Sequence, residues 1–153
     1  MSHPKEHTIQ GVVAGLLLMP VIGNSAWVVG ISVVLIDVDH LIEYFLATGK
    51  ISIKGMFKLR EIAKGHMENI VGLNIFHTLE CYLSLIILGL FYSETFYLIL
   101  SGFLLHHFFD QIYLMKLGFP FVRAFSILEY YFRSKNRMTI KELYQKVNNA
   151  HDI

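Results

Sequence analysis

The chain has 153 residues and a formal net charge of +1, and it is 54% apolar, with twelve Phe and eight Tyr. That length holds one compact domain, and a soluble domain so small cannot hide so much apolar surface, so a bilayer is the expected solvent. The single cysteine, Cys81, excludes an internal disulfide and a Cys-based metal knuckle.

The first apolar run, 9–22, follows His3, Lys5, Glu6 and His7 and ends at Pro20, Gly23 and Asn24. No small-x-small cleavage site follows it, so it is expected to remain as a helix rather than be removed as a signal peptide. Pro4 suits a first-turn position, which places the helix at about 5–20. Ser25 is a candidate cap for a second helix at 26–47. A third is expected at 69–92 and a fourth at 95–116, each of the last three long enough to cross hydrocarbon. The Ser93-Glu94 junction is short, as between antiparallel neighbours. The predicted fold is therefore all-α: a polytopic four-helix transmembrane bundle forming a single membrane domain, with amphipathic helices at its periphery.

Charge sets the direction. Lys50, Lys54, Lys58, Arg60 and Lys64 lie in the link between helices two and three; Arg123, Arg133, Lys135, Arg137, Lys141 and Lys146 lie in the tail. The two opposite turns have no Lys or Arg, so both termini and the link are expected in the cytoplasm. The 120–147 tail interleaves Leu128, Tyr131 and Phe132 with Arg123, Arg133 and Lys135, a pattern suited to an anionic membrane surface. Topology already accounts for these charges, so nucleic acid is not an expected partner.

The ionisable residues inside the apolar runs carry the chemistry. His7 opens the first helix; Asp37, Asp39, His40 and Glu43 close the second; His77 and Glu80 open the third; His106, His107 and Asp110 close the fourth. Alternating helix direction brings all of them to one membrane face. His106 and Asp110 are four residues apart and share a helix face, as do Asp39 and Glu43. Carboxylates in low dielectric need a cation or a proton, and no Lys or Arg lies within these clusters. His7, Asp37, Asp39, His40, His77, His106 and Asp110 are the candidate ligands for one or two divalent ions, with Zn²⁺, Mn²⁺ or Fe²⁺ suiting mixed imidazole and carboxylate donors. Glu80 and Glu43 are the candidate catalytic groups, placed to orient water or relay its proton. His3, His66 and His151, in polar or terminal settings, are not assigned a role.

At these residues the chain resembles the small bacterial inner-membrane proteins described as membrane-bound, metal-dependent hydrolase-like, of the YdjM type. The resemblance runs over residues 7–115, through His7-Thr8 and Gly11, Asp37-Val38-Asp39-His40, His77-Thr78, and His106 with Asp110. Ile36 stands where the family usually has proline. The resemblance implies hydrolysis of a lipid-like ester or phosphoester by metal-activated water, with a membrane lipid or amphiphile as substrate and room for a homo-oligomer. Three other readings use the same residue types: a divalent-metal or proton transporter, a haem protein with paired histidines, and a noncatalytic membrane scaffold. The outer halves of helices two to four carry no polar path, which counts against transport.

Overall fold

Helices fill most of the chain because its apolar runs are rich in Leu, Ile and Phe and are punctuated by residues that start or stop helices. The computed structural model describes residues 4–151; His3 lies outside it, as do the side chains of Lys5 and His151. In chain order the elements are α1 (Pro4–Ile22), a 3-10 turn (Gly23–Ser25), α2 (Ala26–Leu35), α3 (Val38–Thr48) and α4 (Ile53–Lys64). There follow β1 (Ile70–Val71), a second 3-10 turn (Ile75–His77), α5 (Leu79–Phe91), α6 (Thr95–Lys116), α7 (Ile127–Arg133), β2 (Met138–Thr139) and α8 (Ile140–His151). Two helical stretches, Glu6–Thr48 and Thr95–Lys116, are long and apolar enough to cross a membrane, and Leu79–Phe91 is a shorter apolar helix.

Three expected helices differ in their bounds, the first only in that it runs through Pro20 to Ile22. The 26–47 stretch is interrupted at Ile36–Asp37, where Ile36 N still donates to Ser32 O but Asp37 N turns to Val34 O. Val33, Val34, Ile36 and Val38 are β-branched and weak helix formers, and an Asp favours a helix start over a helix interior. In the 69–92 stretch the helix begins only at Leu79. Thr78 caps it, its Oγ1 accepting from Cys81 N at 3.3 Å, and residues 69–78 form a strand and a turn instead. Two Asn and a Gly within 69–74 explain the loss of helix there.

The single domain expected from length resolves into two compact units. The first comprises residues 1–37 and 76–120. In it α2 packs against both α1 and α6, and α6 packs against α5. Small residues make these approaches close. A Cβ on Gly11 would strike the Gly30 carbonyl, and one on Gly30 would lie 2.5 Å from the Gly11 carbonyl. On α6, a Cβ on Gly102 would lie 2.6 Å from the Val29 carbonyl. Backbones meet this way in membrane helix pairs, where dispersion rather than the hydrophobic effect holds helices together. Ile36, Leu85 and Phe103 form the apolar core, joined by Phe76, Tyr82 and Leu100.

The second unit comprises residues 38–75 and 121–153. Here β1 and β2 pair in parallel, Ile70 with Met138 and Val71 with Thr139. Ser52 caps α4 and Ser126 caps α7, each Oγ accepting a backbone N–H three residues on. α3, α4 and α8 pack on one another. Their core is Tyr44, Met56 and Leu59, with Ile140 and Tyr144 packed against it. The apolar faces of α4 and α8, read as peripheral, are thus used inside this unit, whereas α7 buries no residue.

The α1–α2 crossing depends on having no side chain at Gly11. Gly11→Val should overpack it and lower stability by about 1–3 kcal/mol, read by thermal unfolding in detergent. The exposed Ser101→Val change on α6 serves as the control. Wild-type stability in Gly11→Val would contradict the tight crossing.

Candidate metal centre

The first unit gathers five of the sequence-predicted ligands: His7, Asp37, His77, His106 and Asp110. His7 comes from the first turns of α1. Asp37 follows the end of α2, and the helix break at Ile36 places it. His77 closes the 3-10 turn before α5, and His106 and Asp110 lie one turn apart on α6. The tight crossings of α2 with α1 and α6 bring these backbones near enough for short side chains to meet.

The donors form two overlapping groups. One is His7, Asp37 and His106; the other is His77, His106 and Asp110, with all donor atoms of each within 4.8 Å of one another. His106 Nε2 lies 3.6 Å from an oxygen of Asp37 and 3.6 Å from an oxygen of Asp110. His7 Nε2 lies 3.7 Å from Asp37 and 3.4 Å from Asp110. The His106 and Asp37 separations are too long for hydrogen bonds, whereas His7 Nε2 stands within hydrogen-bonding reach of Asp110. The shortest equals the donor-to-donor edge of a tetrahedron around an ion with ligands at about 2.0–2.1 Å, which is about 3.3–3.4 Å, and the others are slightly longer.

Two imidazoles are held from behind. His106 Nδ1 lies 2.8 Å from the Val33 carbonyl. A carbonyl only accepts, so Nδ1 carries the proton and the Nε2 lone pair of the neutral ring is directed at Asp37 and Asp110. His106 Nε2 is buried and makes no hydrogen bond, and the residue is fully buried. On the other ring, His7 Nδ1 lies 3.0 Å from Gln10 Oε1, the same arrangement from a side chain one turn on. Orientation of a ligating imidazole through its remote nitrogen is the usual outer support of a metal site. The donor set therefore fits a divalent ion.

The rings limit other chemistry. His7 and His106 stack at a centroid distance of 4.0 Å with planes 26° apart. Axial ligands of one haem approach from opposite faces of the porphyrin, so this pair is not such a ligand set. His77 meets His106 edge-on at 5.2 Å, and His107 lies 5.8 Å from His77.

Asp39, His40 and Glu43 belong to the second unit. Asn74 Nδ2 lies 2.9 Å from His40 Nδ1 and 3.5 Å from Asp39 Oδ1, and all three residues are buried. Glu43 Oε1 accepts from Leu73 N at 3.2 Å, and its other oxygen is 4.0 Å from His40 Nδ1. Glu80 lies in the first turn of α5 and belongs to neither donor group. Sequence reasoning missed Asn74, Gln10 and the Val33 carbonyl. Asn74 had a signal, a lone amide in an apolar run three residues before His77, but it was read as helix interior. The Val33 carbonyl had none, since a backbone acceptor is invisible in a sequence.

No family model matches the chain, nor does any curated protein or solved structure. Fold and site together define a mostly helical protein with two long apolar helical stretches and two His/Asp groups positioned to coordinate a metal ion.

Removing the shared ligands should empty the centre: His106→Ala and Asp110→Ala are expected to cut bound metal at least about tenfold, by mass spectrometry of gently purified protein. Gln10→Leu leaves every ligand in place yet should weaken affinity by about 10–100-fold. Unchanged metal content in His106→Ala and Asp110→Ala alike would remove both from the ligand set.

Proposed function

We propose that this chain is a membrane-embedded, metal-dependent hydrolase acting on a lipid-like ester or phosphoester. The observation that carries the reading is His106 Nε2, buried, held by the Val33 carbonyl and aimed between two carboxylates at equal distance. The resemblance to the YdjM-type hydrolase-like proteins supports the same reading.

His7, Asp37, His77, His106 and Asp110 are the residues that would hold the ion, with Zn²⁺, Mn²⁺ or Fe²⁺ suited to them. A bound divalent ion supplies Lewis acidity, polarising an ester or phosphoryl oxygen and lowering the pKa of water to about 7. Glu80, three residues after His77, is the group proposed to accept the water's proton; Glu43, the other candidate, lies in the second unit. Burial of His106 and Asp110 excludes bulk water from the reacting bond.

The membrane part of the reading rests on what is inside and what is outside. His7, His77, His106 and Asp110 are buried, while Leu17 is 72% and Val21 79% exposed. A soluble fold has the reverse distribution. The proposed bundle has four crossings, with α5 covering only about 20 Å of its own. Asn74, His77 and Thr78, in the non-helical stretch just before it, are all buried. Irregular backbone at membrane depth is tolerated under that condition. The excess of Lys and Arg in link and tail supports a cytoplasmic side for those segments and both termini, and the resemblance to the YdjM-type proteins supports a bacterial inner membrane.

Metal-replete protein should release product from detergent-solubilised lipid esters or phosphoesters. Asp37→Ala should lower turnover by about a hundredfold or more with its helical circular dichroism intact. Glu80→Gln should retain metal but lose about 10²–10⁴ in rate. Metal-replete wild-type protein that turns over neither substrate class would sink the hydrolase. Metal flux into proteoliposomes, lost in His106→Ala, would put a transporter in its place.

A further inference from the structure

The second unit contains a cavity of about 200 Å³ along one side of α3, and the hydrolase reading makes no use of it. Ile42, Leu46 and Ala47 of α3 line it, with Leu73, Ile75 and Ile140 across from them. Its polar lining comes from Asp39, Glu43, Tyr130 and Lys141. An apolar cavity of about 150 Å³ stays dry and takes up a ring the size of benzene, so this one has room for a hydrocarbon segment.

The lining is graded along α3. Asp39 and Glu43 occupy its first turns and Leu46 and Ala47 its last, so the wall changes from polar to apolar over about 12 Å. That is the extended length of a medium-chain alkyl group. At the polar end the carboxylates are fixed: Leu73 N–H holds Glu43, and the Asn74 amide faces Asp39. Burial and the Glu43 and Glu142 carboxylates raise the pKa of Tyr130, which leaves its O–H as a donor. Asp39 is buried whereas Lys141 is exposed, so a bound head group meets more negative than positive charge. This excludes a carboxylate head and suits a hydroxyl, which donates to Glu43 and accepts from Tyr130. Leu46 is 63% exposed, so the apolar end opens outward.

We infer that this chamber binds the hydrocarbon chain of an uncharged amphiphile, its hydroxyl at the Asp39–Glu43 end and its chain along Ile42, Leu46 and Ala47. The inference goes beyond the hydrolase reading and stands without it.

The test uses full-length protein in lipid nanodiscs and a diazirine derivative of octanol as photolabel, with adducts mapped by mass spectrometry. Adducts should fall on Ile42, Leu46 or Leu73. Excess octanol should suppress them at least fivefold and octanoate at least tenfold less effectively. Leu46→Trp fills the open end and should cut labelling at least fivefold with metal content unchanged; Ile75→Trp does the same from the opposite wall if Leu46→Trp does not fold. Labelling spread evenly over the exposed apolar helices, or equal competition by octanol and octanoate, would overturn the chamber. Saturable labelling there in wild-type protein that hydrolyses nothing would uphold the chamber and reject the hydrolase alone.

Discussion

Buried carboxylates set among imidazoles, in stretches without Lys or Arg, are the constraint on which the first unit depends. Residues 6–49 and 65–115 contain neither. Asp110 is 1% exposed and faces His7 and His106. An uncompensated charge at such a place costs several kcal/mol, so the compensation is either a proton on imidazole or a divalent cation. The Val33 carbonyl suits the second, because in neutral His106 it fixes the proton on Nδ1 and leaves Nε2 as a lone-pair donor. The surrounding architecture follows. Gly11, Gly30 and Gly102 let α1 and α6 approach α2 closely, and the interruption at Ile36 places Asp37 between the two imidazoles.

This polar interior explains why the apolar side chains lie outside. Helices that spend their buried faces on His, Asp and small residues have Leu, Ile and Phe left for the surface. In water that surface would drive aggregation; against hydrocarbon it costs nothing. The second unit has an apolar core as well, Tyr44, Met56, Leu59 and Leu143, with Lys54, Lys58 and Lys141 exposed, but it too buries Asp39, His40, Asn74 and Arg123.

Much of the first unit was legible in the sequence, because its information lies in residue types at helical spacing. His106 and Asp110 stand four apart on an apolar helix, and His7 sits where an apolar helix begins; each carries its meaning locally. The breaks were harder to see. Residues 69–78 read as helix because Ile70, Val71, Leu73, Ile75 and Phe76 are apolar, and hydropathy does not separate a buried loop from a buried helix. Asn69, Gly72 and Asn74, with Thr78 as a cap, were the local signals for the shorter helix. The two-unit division was not legible at all. It depends on β1 pairing with β2 across nearly half the chain, and two-residue strands leave no periodic pattern. The same distance hid the set formed by Asn74 with Asp39 and His40, and the cavity that Tyr130 shares with Glu43.

The central claim is that His106 Nε2 and the carboxylates facing it are metal ligands. Anomalous diffraction at the metal absorption edge, from crystals of protein purified without chelators, tests it most directly. The account predicts a peak with His106 Nε2 and at least one oxygen of Asp37 or Asp110 within about 2.0–2.2 Å. A His106 Nε2 hydrogen-bonded to a carboxylate or to water, with anomalous peaks confined to surface residues, would contradict it.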